Sequence, residues 1–202
     1  CVLPIYHING LCVTVMGTLV SASTLVMPYR FSVSTFWETI VRYACSWFSA
    51  VPTQYAYILN NDAPVGDLSH LRFARSAPAP LSPDIHRRFE ERFKVPIIET
   101  MGLTETGSQI TTNPLPPAER KIGSPGAAYG NEIMVADAEF AAVPTGQTGE
   151  ILVRGKNVMQ GYFKQPEETA KTITKDGWLR TGDLGYMDED SFIYVSGRIK
   201  EL

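Results

Sequence analysis

The sequence predicts an α/β fold: a mostly parallel sheet flanked by helices, followed by a small β-rich, distorted barrel-like part. Two observations carry this. Up to about residue 120, short strands made of continuous apolar runs alternate with helical stretches, as in a parallel sheet covered on both faces. Beyond Lys121 the strands follow one another through Gly- and Pro-containing turns, with one short helix among them. The 202 residues suffice for one large domain or two small ones. The expected division is an α/β unit over 1–120 and a β-rich unit over 121–197.

In chain order, residues 10–20 place Leu11, Val15 and Leu19 at helical spacing, which reads as a buried helix. "TLVM" (24–27) reads as a short buried strand. "TFWE" from Thr35 to Glu38 has the pattern of a capping box and opens a helix through about Ala44. "SWFSAV" is a strand stopped by Pro52, and "TQYAYILN" is helical. "LRFARSA" is a strand running into a turn-rich loop. Ser82 and Pro83 supply an N-cap and first-turn proline for "PDIHRRFEERF". "VPIIET" is the next strand, and "ETMGLTETGSQITTN" reads as a long polar loop. The second part holds the strands "NEIMVAD", "GEILVRG" and "SFIYVSG" and the helix "PEETAKTI".

Composition excludes several function classes. Apolar residues make up 44% and charged ones 19%, which is the balance of a folded globular chain. A formal charge of −3 with scattered basic residues argues against a nucleic-acid surface. Cys1, Cys12 and Cys45 lack metal or redox spacing, and an odd count disfavours a disulfide framework. Cys12 and Cys45, set among apolar neighbours, read as small buried hydrophobes in a reducing, cytoplasmic setting. The apolar run Gly10–Met27 is broken by Ser21-Ala22-Ser23 and ended by Pro28, so no transmembrane segment is expected.

Ligands of open parallel sheets bind at the carboxyl ends of the strands. Two loops stand out there. "RSAPAPLS" would let a flat ligand lie against backbone, although a plain connector fits equally well. "TMGLTETG" gathers hydroxyls, glycine and the Glu105 carboxylate, a set able to hold phosphate oxygens and Mg²⁺; on composition alone a solvated loop fits better. Asp183 in "GDLG", at the expected start of a strand, suits the two hydroxyls of a ribose, though aspartate beside glycine is more often a turn former. Asp188, Glu189 and Asp190 lack the spacing of a calcium loop and read as a solvated hairpin turn.

Taken in order and spacing, the small-residue loop, the Thr-Glu loop, "GEILVRGKNVMQGYF", "WLRTGDLG" and "GRIKEL" resemble the adenylate-forming, AMP-binding enzymes, nearest in type to acyl- and aryl-CoA synthetases. The resemblance runs from "PIYHINGL" to the last residue. It implies that a carboxylic acid attacks the α-phosphate of ATP, giving an acyl adenylate, and that CoA then displaces AMP. Ala77, Pro78 and Ala79 would lie against adenine, within a Thr100-Met101-Gly102 pocket where Met101 replaces a usual aromatic. Thr104 would hold the α-phosphate and Glu105 the Mg²⁺. Asp183 would bind ribose with Arg198 beside it, and Lys200 would fall at a hinge, residues 198–202. His7 would guard the acid pocket, with Asn9 and Val13 lining it.

The resemblance also implies absent parts. The Gly-rich lysine loop for the β- and γ-phosphates and a distal domain with a catalytic lysine are not in the sequence. The expectation is therefore a fragment, the second half of a large N-terminal domain. It would be inactive without the missing N-terminal half and C-terminal domain of the same polypeptide. The competing reading is a non-catalytic module that binds adenylate or a partner.

Overall fold

The computed structural model describes residues 1–77 and 79–201. A π-helical segment, Asn9–Met16, runs directly into α1, Gly17–Val20. Then come α2 (Phe36–Arg42), β1 (Trp47–Ala50), α3 (Pro52–Leu59), β2 (Phe73–Ser76), α4 (Pro83–Phe93) and β3 (Ile97–Leu103). A 3₁₀ turn, Thr104–Thr106, leads to β4 (Ser108–Thr112) and β5 (Gly126–Ala128). The remainder is β6 (Glu132–Ala136), β7 (Gly149–Arg154), α5 (Pro166–Thr172), β8 (Leu179–Met187), β9 (Phe192–Arg198) and a last 3₁₀ turn, Ile199–Glu201.

The nine strands of the described residues join one mixed sheet in the order β1-β2-β3-β4-β5-β9-β8-β7-β6. The β1–β2 and β2–β3 pairs are parallel and the rest antiparallel. The β-rich half thus continues the α/β half through β4, β5 and β9.

Two apolar clusters hold the sheet. One packs Phe36, Trp37, Tyr55, Ile58, Phe89 and Phe93 of α2–α4 against Phe48, Ala74 and Ile97 of β1–β3. Its rings meet edge-on or tilted, as Tyr55 and Phe89 do at 5.1 Å. The other gathers Met101, Ile110, Val135, Ile151, Val153 and Ile193. Each fully buried large side chain adds about 1.5–3 kcal/mol.

Two glycines let the strands approach. A Cβ on Gly126 would sit 1.9 Å from the Thr112 carbonyl carbon, and its φ is +94°. A Cβ on Gly102 would fall 1.8 Å from the Ser108 carbonyl oxygen, beside the bulge where β3 meets β4.

Several local expectations need correction. The stripe of the first helix is reversed: Leu11 and Leu19 are 42% and 59% exposed, whereas Asn9, Thr14 and Thr18 are buried. Burial of these threonines is cheap because each hydroxyl donates to a carbonyl of its own segment, Thr14 to Asn9 and Thr18 to Thr14. Residues 24–27 form no strand. Thr35 and Ser82 do precede helices, yet neither side chain caps one; Pro83 does stand in the first turn of α4. The "TMGLTETGSQITTN" stretch is a β3–β4 hairpin around a 3₁₀ turn rather than a long loop. A run of threonines pairs as readily as it solvates once a partner strand is present.

Among the described residues no helix is long and apolar enough to cross a membrane. All three cysteines are free, and burial pushes the Cys45 thiol upward, with the chain amino group pulling the other way.

Candidate functional site

A cleft of about 570 Å³ opens where the carboxyl ends of β2 and β3 meet the end of β9. Its size suits a small-molecule ligand. Three distant segments line it: Ser76 and Ala79 after β2, Thr100 to Leu103 on β3, and Asp183 with Arg198 from β8 and β9. It occupies the crest of the parallel strands, where open α/β sheets place ligands.

Asp183 and Arg198 are register partners on β8 and β9. Arg198 Nε donates to Asp183 Oδ1 at 2.7 Å, leaving Oδ2 without a protein partner among the described residues. The Asp183 side chain is 11% exposed and that of Arg198 53%. That hydrogen bond, and then the charge of Asp183, raises the Arg198 pKa further. Asp183 does not start its strand as expected. It sits midway along β8, after Gly182 with φ +72° and before a register shift at Leu184–Gly185. Gly182 and the bulge turn it toward the cleft.

Thr104 and Glu105 occupy the 3₁₀ turn directly after the cleft-lining Leu103. Thr104 is exposed and Glu105 half-buried. The "NVMQGYF" segment holds this turn. Met159 N donates to the Glu105 carbonyl at 2.8 Å, Asn157 Nδ2 to the Thr106 carbonyl at 3.3 Å, and Tyr162 hydroxyl to Glu105 Oε1 at 2.8 Å. Burial, then this bond to Glu105, raises the Tyr162 pKa. Nothing in the sequence singles out Tyr162: an aromatic hydroxyl eight residues past the end of β7 carries no signal of where it points.

Glu99, also missed, borders the cleft and is 4% exposed. Its Oε1 accepts from His86 Nδ1 at 2.8 Å and from Gly123 N at 3.1 Å. His86 Nε2 faces Glu90 Oε1 at 2.9 Å, and Arg120 Nη1 donates to the same oxygen at 2.5 Å. A carboxylate on each ring nitrogen favours the protonated form of His86, in which both nitrogens donate. Burial works to lower its pKa, but the bonds to Glu90 and Glu99 outweigh it and the pKa is raised. Glu90 resists the opposite pull of burial and is brought down to about 2 by His86, Arg120 and the Ile97 amide.

Of the residues named from sequence, Ala79, Thr100, Met101, Gly102, Asp183 and Arg198 meet in the cleft. Met101 is only 5% exposed and belongs mainly to the second core. Ala77 is buried, its N–H directed at the Ala50 carbonyl, and Pro78 lies outside the described residues. Others are not among the cleft's lining residues. His7 is exposed and rests against Tyr6 at 4.7 Å. Asn9 is buried against Ser49 and Arg75. Val13 is half-buried, and Lys200 is exposed on the last turn. The acids of the β8–β9 turn are tied to Lys121, which donates to Asp188 and Asp190 at 2.6 Å each. Ser191 takes φ +65° there.

Comparison with known proteins identifies the family and the fold. The profile of the AMP-binding enzyme family matches residues 1–163. A sulfoacetate–CoA ligase of Cupriavidus necator is 50% identical over 99% of this chain and 39% of its own length. An oxalate–CoA ligase of Saccharomyces cerevisiae is 37% identical over the whole chain and 37% of its own length. The crystal structure of ATP-bound MatB from Rhodopseudomonas palustris superposes with a TM-score of 0.93, at 33% identity, over 99% of this chain and 40% of that one. The chain therefore spans about two fifths of the length of the relatives it matches.

Proposed function

This chain belongs to the AMP-binding enzyme family, and from that membership we propose that it forms part of an ATP-dependent carboxylate–CoA ligase. The observation that carries this is the cleft itself, where the loop after β2, the end of β3 and the Asp183–Arg198 pair converge.

In this reading the nucleotide enters along β3. Ala79 and Gly102 present little side chain, so the flat base lies close to backbone, with the residual surface of Met101 against it. Asp183 Oδ2 accepts from a ribose hydroxyl, while Arg198 holds the carboxylate in place. Thr104, exposed on its turn, donates to an α-phosphate oxygen. Preorganised donors of this kind stabilise charge building on the phosphorus during attack.

Glu105 fits a magnesium ion. One of its oxygens is fixed by Tyr162, leaving the other as a hard oxygen ligand. Among the described residues no group of three or more His, Cys, Asp or Glu could hold a metal; one carboxylate is what suits an ion carried in mainly by phosphates and water. When bound, magnesium supplies neutralisation of phosphate charge.

The substrate read here is a short carboxylic acid carrying a second anionic group, supported by relatives named for sulfoacetate and oxalate. CoA is the proposed acceptor. Because the relatives are much longer, the full reaction is assigned to the complete polypeptide, with the chain alone binding AMP without turnover. The test is acid-dependent ATP–pyrophosphate exchange and thioester formation from CoA by the complete gene product. Exchange without CoA acylation would redirect the second step to another acceptor. AMP binding with no exchange for any acid would favour a binding module.

A further inference from the structure

Arg75 on β2 is 5% exposed and belongs to none of the machinery described above. Its Nη1 donates to Asn9 Oδ1 at 2.5 Å and Ser49 Oγ at 3.3 Å, and its Nη2 to Gln109 Oε1 at 3.2 Å. All three partners are neutral. Burial pulls the Arg75 pKa down to about 10, with the neighbouring Tyr55 phenol acting the other way. A guanidinium taken from water without a counter-anion is strongly unfavourable.

Unused donors surround it. Arg75 Nε and Asn9 Nδ2 are buried with no hydrogen-bond partner among the described residues, and so is Thr100 Oγ1. Two orphaned donors beside a buried cation lack one thing, an acceptor with negative charge.

The placement points the same way. Arg75 is in register with Ile98, so Thr100, two residues further along β3, shares its face of the sheet. Thr100 lines the cleft. Asn9 closes over this face from the π-helical segment, opposite the side packed by α2–α4. The Arg75 backbone is level with Ile98, but its guanidinium reaches Gln109, the register partner of Gly102, two residues short of Thr104 on the way to Glu105.

We propose that Arg75 is the specificity-determining residue that binds the second anionic group of the acid substrate, with Asn9 Nδ2 as a further donor. This rests on the ligase reading. The reacting carboxylate goes to the Thr104–Glu105 end, so a group held by Arg75 is the distal one. A terminal carboxylate or sulfonate satisfies Nε and Asn9 Nδ2 together and neutralises the buried charge. A methyl terminus leaves both donors unmet, which is a larger penalty than a missing contact.

The test uses the complete gene product, wild type, Arg75→Met and Arg75→Lys. Paired acids are compared: sulfoacetate and malonate against propionate and butyrate. Two readouts are taken, kcat/KM for CoA thioester formation and protection against thermal unfolding by each acid in the presence of AMP. The wild type is expected to prefer the doubly charged acids. Arg75→Met lowers the dianion-to-monoanion ratio of kcat/KM by about 100-fold, and Arg75→Lys restores part of it. An unchanged ratio, or equal loss on both acid classes with unaltered ATP affinity, overturns the proposal, since a structural role moves all acids alike. A parallel loss of ATP affinity assigns Arg75 to the nucleotide and also overturns it. If dianions protect the wild type but not Arg75→Met and no thioester forms, the anion site stands and the ligase reading falls. If thioesters form with no preference for a second charge, the ligase reading stands and this proposal falls.

Discussion

The Tyr162 hydroxyl donates to Glu105 Oε1 at 2.8 Å, linking side chains 57 residues apart in sequence. That bond decides which oxygen of Glu105 is free. In the complete gene product, Tyr162→Phe is expected to raise the magnesium concentration giving half-maximal activity by about tenfold, the scale of one hydrogen bond to a charged group. The melting temperature should scarcely move, because the hydroxyl is only partly buried. A magnesium titration superimposable on wild type would remove Tyr162 from any orienting role.

Asp183→Ala is expected to weaken AMP binding by about 10- to 100-fold, since it removes the acceptor offered to the ribose. Stability should change little, because the Arg198 side of the pair is 53% exposed and such pairs contribute weakly. Calorimetric titration with AMP and with 2′,3′-dideoxy-AMP separates loss of the ribose contact from a general loss of affinity. A ribose ligand predicts that the variant no longer distinguishes them.

The His86 network predicts a pH dependence of stability. The folded pKa of His86 is raised, so its contribution is complete below about pH 6.5, the unfolded value, and is lost as pH rises through the folded pKa. Glu90, lowered to about 2, contributes fully above its unfolded value and loses its share as pH falls toward 2. Thermal melts should therefore be highest between about pH 4.5 and 6.5 as far as this network is concerned. In His86→Gln the decline on the alkaline side of that window should flatten. A decline of the same slope in the variant would assign it elsewhere.

Gly126→Ala and Gly130→Ala separate backbone conformation from space. Both have positive φ, +94° and +73°, but a Cβ on Gly130 meets nothing within 4 Å. Gly130→Ala should cost about 1–2 kcal/mol in urea unfolding. Gly126→Ala adds a clash with the β4 backbone and should cost more than about 3 kcal/mol or prevent folding. Equal costs would show that β4 and β5 can part without penalty.

Much of this was legible in the chain. Continuous apolar strands such as "SWFSA" and "VPII" implied burial on both faces, and Pro83 marked the start of α4, because these signals act through nearest neighbours in sequence. Misreadings came where a distant partner decides. The first helix looked amphipathic about Leu11 and Leu19, yet its threonines face inward, because their hydroxyls satisfy themselves on the helix backbone. "GSQITT" looked like loop until β3 and β5 flank it.

The site divides the same way. Sequence alone determined which residue types occur in which order, hence the family resemblance and the choice of Asp183 over the acids of the following turn. Only the tertiary structure decided that Tyr162 reaches Glu105 and that His86 bridges two carboxylates. It also decided that Arg75, one basic residue among eighteen, is buried with no counter-anion among the described residues. The physical reason is that local propensity is written in neighbouring residues. Electrostatic role depends instead on burial and on partners tens of residues away, which exist only once the sheet has closed.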